Sequence, residues 1–384
     1  MNDDGHGTGP EQVCRTYPRT GRTAGAEFDG GRHALEGVAD RSRVPTGGSA
    51  MTEPSTDGSA PLHLDALQLR RVLQDAPVVD SLIDFFRSRP VTPLRQRLAQ
   101  SDGRELIVMP IISAPYSGVK MLTVVPSNAG SQHPVIAGLF TLVDMSNGTT
   151  LATMDASELT AWRTAGVAAA AAARLARADA RTLTLLGAGH IIPYLAAAHA
   201  AVRPIDKVIV WARRADAAAA AARHIVERLG RPDIEVEVAA DLETAVRKGD
   251  IVSAATRATN GLIEGRWLSA GAHVDLVGGY RPDMREIDDA GLLRSTVYVD
   301  DRVAVLNEAG DLTDPISRGV VTQEFVKGDF ADLALAQLGR AGVEEITLFK
   351  SVGVAASDLA VAILAWRRHA GMASSSGFPS DGIN

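Results

Sequence analysis

The chain has 384 residues, of which 46% are hydrophobic, a formal net charge of −7 and a single cysteine, Cys14. This length can supply the cores of two domains, while one cysteine excludes intrachain disulfides and a cysteine-based metal site. The acidic balance argues against a nucleic-acid-binding surface, and no uncharged apolar run reaches membrane-span length. We therefore expect a cytoplasmic protein that has no metal site, no nucleic-acid partner and no membrane partner.

The two ends of the chain lack the apolar periodicity of a folded domain. Residues 1–60 are rich in Gly, Asp, Arg and Thr, a composition typical of disorder, and they lack the apolar core of a secretory signal. Met51 begins a second plausible N-terminus, so we expect residues 1–50 to be a dispensable tail or a mis-assigned start. Residues 373–384 are expected to form a second disordered tail.

Residues 61–178 combine helical and strand patterns. The predicted elements are one or two helices over residues 64–86 and strands over residues 105–110, 118–125, 135–143 and 149–154. Asn147 and Gly148 form a strong hairpin signal. Asp155 and Glu158 resemble a capping box, which predicts a helix that begins there and ends at Arg174. The region is therefore expected to be an α+β domain.

Residues 179–335 show a different pattern, in which short apolar, β-branched runs alternate with helix-like segments. Strands are predicted at 181–186, 207–211, 234–239, 250–255, 273–277 and 296–299, and helices at 191–202, 215–229, 242–248 and 286–293. This alternation predicts an α/β fold with a Rossmann-type, doubly wound parallel sheet. Residues 336–372, with a strand at 346–349 and a helix at 353–368, are expected to complete the α+β domain. The active-site cleft would lie between the two domains.

A glycine-rich turn follows the first strand of the parallel sheet. Gly187 suits the tight turn, and Gly189 lets the backbone approach a pyrophosphate at the N-terminus of the next helix. The pattern is incomplete, because Ile192 stands where a third small residue is usual, although Pro193 suits a first helical turn. The residues predicted to bind a dinucleotide cofactor at this turn are Gly187, Ala188, Gly189, His190 and Ile191.

The end of the second parallel strand indicates which dinucleotide is bound. No carboxylate follows this strand until Asp216, whereas Arg213 and Arg214 come directly after it. A ribose 2′-hydroxyl usually meets an acidic residue here, and guanidinium groups suit a 2′-phosphate. We therefore predict NADPH in preference to NADH; the alternative is a solvated basic loop.

Six motifs in one order along residues 90–368 resemble the ornithine cyclodeaminase/mu-crystallin family. They are VKML at 119–122, SNGTTLATMD at 146–155, LTAWRTA at 159–165, LLGAG at 185–189, GGYRPDMREID at 278–288 and TLFKSVG at 347–353. The fifth motif looks nearer the mu-crystallin, ketimine reductase branch. The resemblance implies a homodimer whose substrate domain carries the interface. It also implies an NAD(P)-binding Rossmann domain and a substrate with nitrogen and carboxylate on one carbon.

The resemblance also implies the site residues. Arg95 and Arg163 match arginines that bind the substrate carboxylate, and Lys120 matches a lysine near that carboxylate and the imine nitrogen. A guanidinium fixes the plane of a carboxylate, and a lysine can protonate nitrogen while hydride reaches carbon. Lys120 lies inside an apolar strand, so it needs a buried partner. Arg97 remains an alternative to Arg95.

The chain departs from the family pattern at several positions. Ile107 and Tyr280 stand where cyclodeaminases have acidic residues, which leaves no obvious general base for water attack on an imine. Tyr280 either donates the proton or closes the pocket by its size. His190 either contacts the cofactor phosphates or caps the helix. Asp358 matches an acid near the nicotinamide, and Thr256 matches a position close to the cofactor.

We therefore expect an NADPH-dependent oxidoreductase, with NADH as an alternative cofactor, that acts on the C–N bond of a small α-imino, α-keto or α-amino acid. The predicted catalytic residues are Lys120, Tyr280 and Asp358. Two alternatives remain open. One is an ornithine cyclodeaminase-type ammonia lyase with bound NAD(P), and the other is a non-catalytic, NADPH-dependent protein that binds small carboxylates.

Overall fold

The computed structural model describes residues 60–372, which fold around two β-sheets. The predicted tails, including Met51, lie outside the described residues, except that residue 60 of the N-terminal tail is described. Eleven α-helices are present in this part of the chain. They are α1 (Ala66–Val72), α2 (Asp75–Phe86), α3 (Ala156–Leu175), α4 (Ile192–Val202), α5 (Ala215–Leu229), α6 (Leu242–Lys248), α7 (Asp289–Leu293), α8 (Arg302–Glu308), α9 (Gly310–Ser317), α10 (Phe330–Ala334) and α11 (Ala355–His369).

The first sheet has six strands in the order β1-β6-β5-β4-β3-β2. Its strands are β1 (Leu62–Leu64), β2 (Gln96–Ala99), β3 (Glu105–Ser113), β4 (Tyr116–Val124), β5 (Ile136–Asp144) and β6 (Thr150–Asp155). All neighbours pair antiparallel except β1 and β6. The predicted hairpin joins β5 to β6, where Gly148 takes a φ of +76° that an L side chain rarely adopts.

The entry into α3 differs from the predicted capping box. Asp155 caps the helix by accepting a hydrogen bond from the backbone N–H of Glu158 at 2.7 Å. The Glu158 side chain does not return to the cap, because it is held instead by Arg70 and Tyr194. The helix still forms as predicted and runs one residue beyond Arg174.

The second sheet confirms the predicted doubly wound parallel architecture. Its strands are β7 (Thr182–Leu186), β8 (Lys207–Trp211), β9 (Glu235–Val238), β10 (Ile251–Ala254), β11 (His273–Leu276), β12 (Ser295–Val299), β13 (Val326–Asp329) and β14 (Ile346–Lys350). They run in the order β13-β12-β14-β11-β10-β7-β8-β9, and every pair is parallel. The order reverses at β7, between β8 and β10, which is where such folds bind ligands.

The position of β14 corrects the expected assignment of residues 346–349 to the α+β domain. This strand lies between β11 and β12 in the parallel sheet. Every residue of β14 is buried, as befits a central parallel strand covered on both faces. The expected division into two domains otherwise remains a prediction, because the described residues 60–372 group as one compact unit.

Helix α3 occupies the centre of the molecule. It packs against α2, α4 and α11, and it also touches strands of both sheets, namely β5, β11 and β14. Its alanine-rich sequence makes these close approaches feasible, since most of its residues are buried. Within residues 60–372, no helix is long and apolar enough to cross a bilayer. In the same range, no three His, Cys, Asp or Glu side chains are grouped to hold a metal ion.

Candidate active site

A cavity of about 710 Å³ lies along the carboxyl ends of four neighbouring parallel strands, β14, β11, β10 and β7. The segments that follow these strands form one wall, and the inner face of β3 and β4 together with the first half of α3 forms the other. The predicted site residues that line this cavity are Arg95, Lys120, Arg163, Gly189, His190, Ile191, Thr256 and Tyr280. Residues far apart in sequence thus converge on one space.

Lys120 is the most deeply placed of these side chains. Its ammonium group lies 2.7 Å from Oδ2 of Asp358 and donates a weaker hydrogen bond to Thr160 Oγ1 at 3.3 Å. Asp358 is the buried partner that the apolar setting of Lys120 requires. Burial and the nearby charge of Arg163 lower the pKa of Lys120 to about 7, a decrease that the opposing charge of Asp358 limits. Lys120 can therefore exchange a proton near neutral pH.

Asp358 does not line the cavity itself. It is fully buried in α11, one turn after the TLFKSVG segment, and its carboxylate also lies 3.2 Å from Nε of Arg163. One carboxylate thus faces both of these cations. The arrangement suits a residue that holds Lys120 and Arg163 in place, and the predicted direct catalytic role of Asp358 remains untested.

Arg163 owes its position to a glycine on the opposite wall. Gly353 follows β14 with a φ of +78°, and a Cβ atom at this position would overlap the guanidinium of Arg163. The last residue of the TLFKSVG segment is therefore a glycine for two reasons, its backbone conformation and the close approach of Arg163.

Arg95 is fixed by three acceptors. Its Nε lies 2.8 Å from Oε2 of Glu308, and its Nη2 donates to the carbonyls of Val352 and Gly353 at 2.8 and 2.7 Å. Burial lowers the pKa of Arg95, while the charge of Glu308 opposes this shift. Arg97, the alternative, instead forms an ion pair with Glu105 at 2.6 Å. Arg95 is thus the arginine of this pair that lines the cavity.

Tyr280 lies half-buried at the same end of the cavity, with the guanidinium groups of Arg95 and Arg97 at 5.9 and 6.0 Å from its ring centroid. Ile107, the other departure from the cyclodeaminase pattern, contributes an apolar contact to the cavity wall. Both roles considered for Tyr280, proton donor and steric lid, are compatible with this position.

The glycine turn has the geometry that a dinucleotide needs. Gly187 takes a φ of +127°, and a Cβ atom there would overlap the carbonyl of Ala255. At Gly189 an added Cβ would meet nothing within 4 Å, so the space above the turn is open. Helix α4 follows with Pro193 in its first turn and no side-chain cap, which rules out His190 as the capping residue. The open turn at the positive end of the α4 dipole suits a diphosphate.

A buried carboxylate organises the neighbouring strand ends. Glu286 accepts hydrogen bonds from the backbone N–H and hydroxyl of Thr256 at 2.7 and 2.8 Å, and from the N–H groups of Gly278 and Gly279 at 2.9 and 3.1 Å. Burial raises the pKa of Glu286. This carboxylate, which the sequence analysis did not single out, ties the segments after β10 and β11 into one wall.

The two arginines predicted to select NADPH lie at the end of β8, next to β7. Arg213 and Arg214 are both exposed, and the Arg214 guanidinium is 3.8 Å from the carboxylate of Asp216. Neither residue lines the cavity. Their place beside the glycine turn suits a ribose 2′-phosphate, and the preference for NADPH remains a prediction.

The cavity also contains acidic groups that the sequence analysis did not place there. Asp155 and Glu158 both line it, whereas the sequence analysis assigned both to the capping of α3. Asp155 is engaged as the cap of α3, and Glu158 is engaged by Arg70 and Tyr194. The sequence signal for Glu158 was its place within the first turn of α3, which we assigned to capping.

Comparisons with known proteins agree with the motif resemblance. The sequence model of the ornithine cyclodeaminase/mu-crystallin family matches residues 74–371. A Δ1-pyrroline-2-carboxylate reductase of Bacillus cereus is 35% identical over 293 residues, or 75% of this chain and 89% of that protein. Two solved structures are similar in fold. One is the Thermococcus litoralis Δ1-pyrroline-2-carboxylate reductase in complex with NADH and L-proline, with 29% identity and a TM-score of 0.76 over 81% of this chain and 98% of the other. The second is an archaeal alanine dehydrogenase dimer with bound NAD, with 25% identity and a TM-score of 0.75 over 81% and 96%.

Proposed function

Because this chain belongs to the ornithine cyclodeaminase/mu-crystallin family, we propose that it is an NAD(P)H-dependent reductase of small cyclic α-imino acids, with Δ1-pyrroline-2-carboxylate as the leading substrate. The observation that carries the proposal is the convergence of Arg95, Lys120 and Arg163 on one cavity whose far end is the glycine turn. Three cations beside a dinucleotide turn suit an anionic substrate held next to a nicotinamide.

The chain's own residues can position and protonate such a substrate. Arg163 and Arg95 supply guanidinium groups for the carboxylate, which fixes the imine plane. Lys120, with its pKa near 7, supplies the proton that the imine nitrogen gains. A nicotinamide bound beside them would supply the hydride for Cα. Ile107, Met109 and Leu122 line the cavity with apolar side chains, which suit the methylene groups of a ring and reduce access of water.

Relatives support the reaction class and the cofactor. The Bacillus cereus protein is a Δ1-pyrroline-2-carboxylate reductase, and the Thermococcus litoralis enzyme holds NADH and L-proline in a similar fold. We further propose NADPH as the preferred reductant, on the strength of Arg213 and Arg214 at the end of β8.

We also propose a homodimer formed through the six-stranded sheet. The face of this sheet opposite the cavity carries exposed apolar side chains, among them Leu98 at 61%, Ile112 at 68% and the cross-strand neighbours Met121 at 48% and Leu139 at 42%. Such a concentration of exposed apolar residues is typical of an interaction surface. The archaeal alanine dehydrogenase of similar fold is a dimer.

The proposal is tested by following NADPH and NADH oxidation by the purified full chain with Δ1-pyrroline-2-carboxylate, piperideine-2-carboxylate, and pyruvate plus methylamine or ammonia. We expect NADPH consumption and formation of proline with the first substrate. Formation of proline and ammonia from ornithine without net cofactor consumption would instead identify a lyase. NADPH binding without turnover of any substrate would identify a binding protein.

A further inference from the structure

A polar cluster lies at the glycine-turn end of the cavity, and apart from His190, a predicted cofactor contact, its members have no role in the reaction described above. It consists of Arg70 in α1, Glu158 in α3, His190 in the turn and Tyr194 in α4. Arg70 donates from Nη2 and Nε to Glu158 Oε2 at 2.7 and 3.0 Å, and the Tyr194 hydroxyl donates to Glu158 Oε1. The His190 ring nitrogen Nε2 lies 3.8 Å from Glu158 Oε2.

The cluster presents a guanidinium and an imidazole to the cavity and keeps its carboxylate behind them. The Glu158 side chain is 1% exposed, whereas those of Arg70 and His190 are 44% and 53% exposed, and all three residues line the cavity. Nη1 of Arg70 has no hydrogen-bond partner among residues 60–372. The hydrogen bond to Glu158 raises the pKa of Arg70, so this guanidinium stays charged.

Two independent features of the same wall indicate that an anion is the missing partner. Thr164 is one of the residues that line the cavity, and its hydroxyl is buried without a hydrogen-bond partner in the described structure. The N-terminus of α4 lacks a side-chain cap, so no side chain neutralises the positive end of its dipole. Buried polar groups without partners are rare in folded proteins, and a bound anion would satisfy Nη1 of Arg70 and complement the positive end of the helix.

We propose that Arg70 and His190 bind the diphosphate of the dinucleotide, and that Glu158 and Tyr194 hold Arg70 in position for this contact. The inference rests on the proposed function, since it assumes a dinucleotide at the glycine turn. A guanidinium is well suited to phosphate oxygens. The substrate carboxylate already has Arg95, Lys120 and Arg163, and the 2′-phosphate has Arg213 and Arg214, so the diphosphate is the anion that remains.

The test is equilibrium binding of NADPH, NADH and ADP-ribose to the full chain, measured by calorimetry for the wild type, Arg70→Met and Arg71→Met. Arg71 is an exposed neighbour on α1, so its variant matches the change in charge. All three ligands share the diphosphate, and Arg70→Met should weaken each by roughly 10- to 100-fold, with wild-type affinity in Arg71→Met. Unchanged affinity of Arg70→Met for these ligands would overturn the inference. So would a rise in the KM for the imino acid without any change in dinucleotide affinity.

The double variant Arg70→Met/Glu158→Gln addresses the possibility that removal of Arg70 merely exposes Glu158 as a repulsive, unpaired charge. We expect the double variant to bind ADP-ribose as weakly as the single variant, and Arg70→Lys to recover part of the affinity. Wild-type affinity in the double variant would mean that Arg70 only balances the charge of Glu158, and it would overturn the inference. A wild-type chain that binds no dinucleotide at all would overturn the proposed function as well, so the two failures are distinguishable.

Discussion

The ammonium group of Lys120 lies 2.7 Å from Oδ2 and 2.8 Å from Oδ1 of Asp358, and both side chains are excluded from solvent. The pair joins a strand of the six-stranded sheet to the last helix of the described chain. Burial lowers the pKa of Lys120 to about 7, and Asp358 limits that decrease. The pair therefore sets both the position and the proton affinity of the proposed proton donor.

The first prediction concerns the pH dependence of imine reduction. Protonated Lys120 is the active form in this direction, so kcat should fall about tenfold per pH unit above pH 7. Asp358→Asn removes the charge that raises the Lys120 pKa, so the decrease in kcat should begin at a lower pH. The measurement is kcat as a function of pH, under pre-steady-state conditions or with an isotopically labelled cofactor that reports on the chemical step. An Asp283→Asn control changes an exposed carboxylate and should keep the wild-type profile; an unchanged profile in Asp358→Asn would contradict the assignment.

The second prediction concerns Gly353. Gly353→Ala forces a Cβ atom into the space of the Arg163 guanidinium, so the KM for the imino acid should rise roughly 10- to 100-fold while NADPH affinity is retained. Gly319→Ala is the matched control, because Gly319 also has a positive φ of +72° but an added Cβ would meet nothing within 4 Å. Equal effects of the two substitutions on KM would mean that backbone strain, rather than displacement of Arg163, is responsible.

The third prediction concerns cofactor choice. The double substitution Arg213→Ala/Arg214→Ala should weaken NADPH binding by roughly 10- to 100-fold and leave NADH binding unchanged, because only NADPH carries the 2′-phosphate. Arg223→Ala removes an exposed arginine from α5 and serves as the control. Dissociation constants for both cofactors give the answer. A parallel loss for NADH, or none for NADPH, would contradict the assignment of this basic pair.

The fourth prediction concerns stability in acid. Asp275 is buried between two histidines and accepts from His199 at 2.7 Å and His273 at 2.9 Å. Burial acts to raise the pKa of Asp275, but the charge of His273 and the hydrogen bond from His199 outweigh it and lower the pKa to about 2.

Because the folded-state pKa is depressed, the contribution of Asp275 to stability is present above the unfolded value and is lost as pH falls toward 2. Asp275→Asn should therefore lower the free energy of unfolding near neutral pH by about 3 to 5 kcal/mol. Its curve should also lack the wild-type decline between the ordinary value of 3.8 and about 2. Urea unfolding as a function of pH tests this, and parallel curves for the two proteins would contradict it.

The fifth prediction concerns assembly. Met121→Glu/Leu139→Lys places charges on the apolar face of the six-stranded sheet and should convert the dimer to a monomer in light-scattering measurements. Val303→Glu alters an equally exposed apolar residue elsewhere, on α8, where the side chain is 60% exposed, and should leave the dimer intact. A monomeric wild type, or a dimeric double variant, would contradict the proposed interface.

Local patterns were sufficient to predict the parallel sheet and the glycine turn. Strand 207–211 and helices 215–229 and 242–248 have the predicted bounds, because alternating apolar runs and caps are encoded in neighbouring residues. The placement of β14 could not be predicted in this way. A short, mostly apolar strand is compatible with either sheet, and its partners, β11 and β12, are distant in sequence.

The site shows the same division between local and long-range information. The motifs identified Lys120 and Arg163, but the contact between Lys120 and Asp358 spans 238 residues, and no local pattern specifies it. The assignment of Glu158 to a capping box was reasonable from spacing alone. It was wrong because packing of α1 and α4 against α3 brings Arg70 and Tyr194 to that carboxylate.

The most direct test of the central claim is the fate of the hydride. NADPH labelled with deuterium at the transferred position of its nicotinamide is incubated with Δ1-pyrroline-2-carboxylate and the full chain, and the proline formed is analysed by mass spectrometry and NMR. The account predicts one deuterium per proline at Cα, with a rate about 100- to 10,000-fold lower in Lys120→Met and NADPH affinity retained. Proline without deuterium, or no proline while the cofactor binds normally, would contradict it.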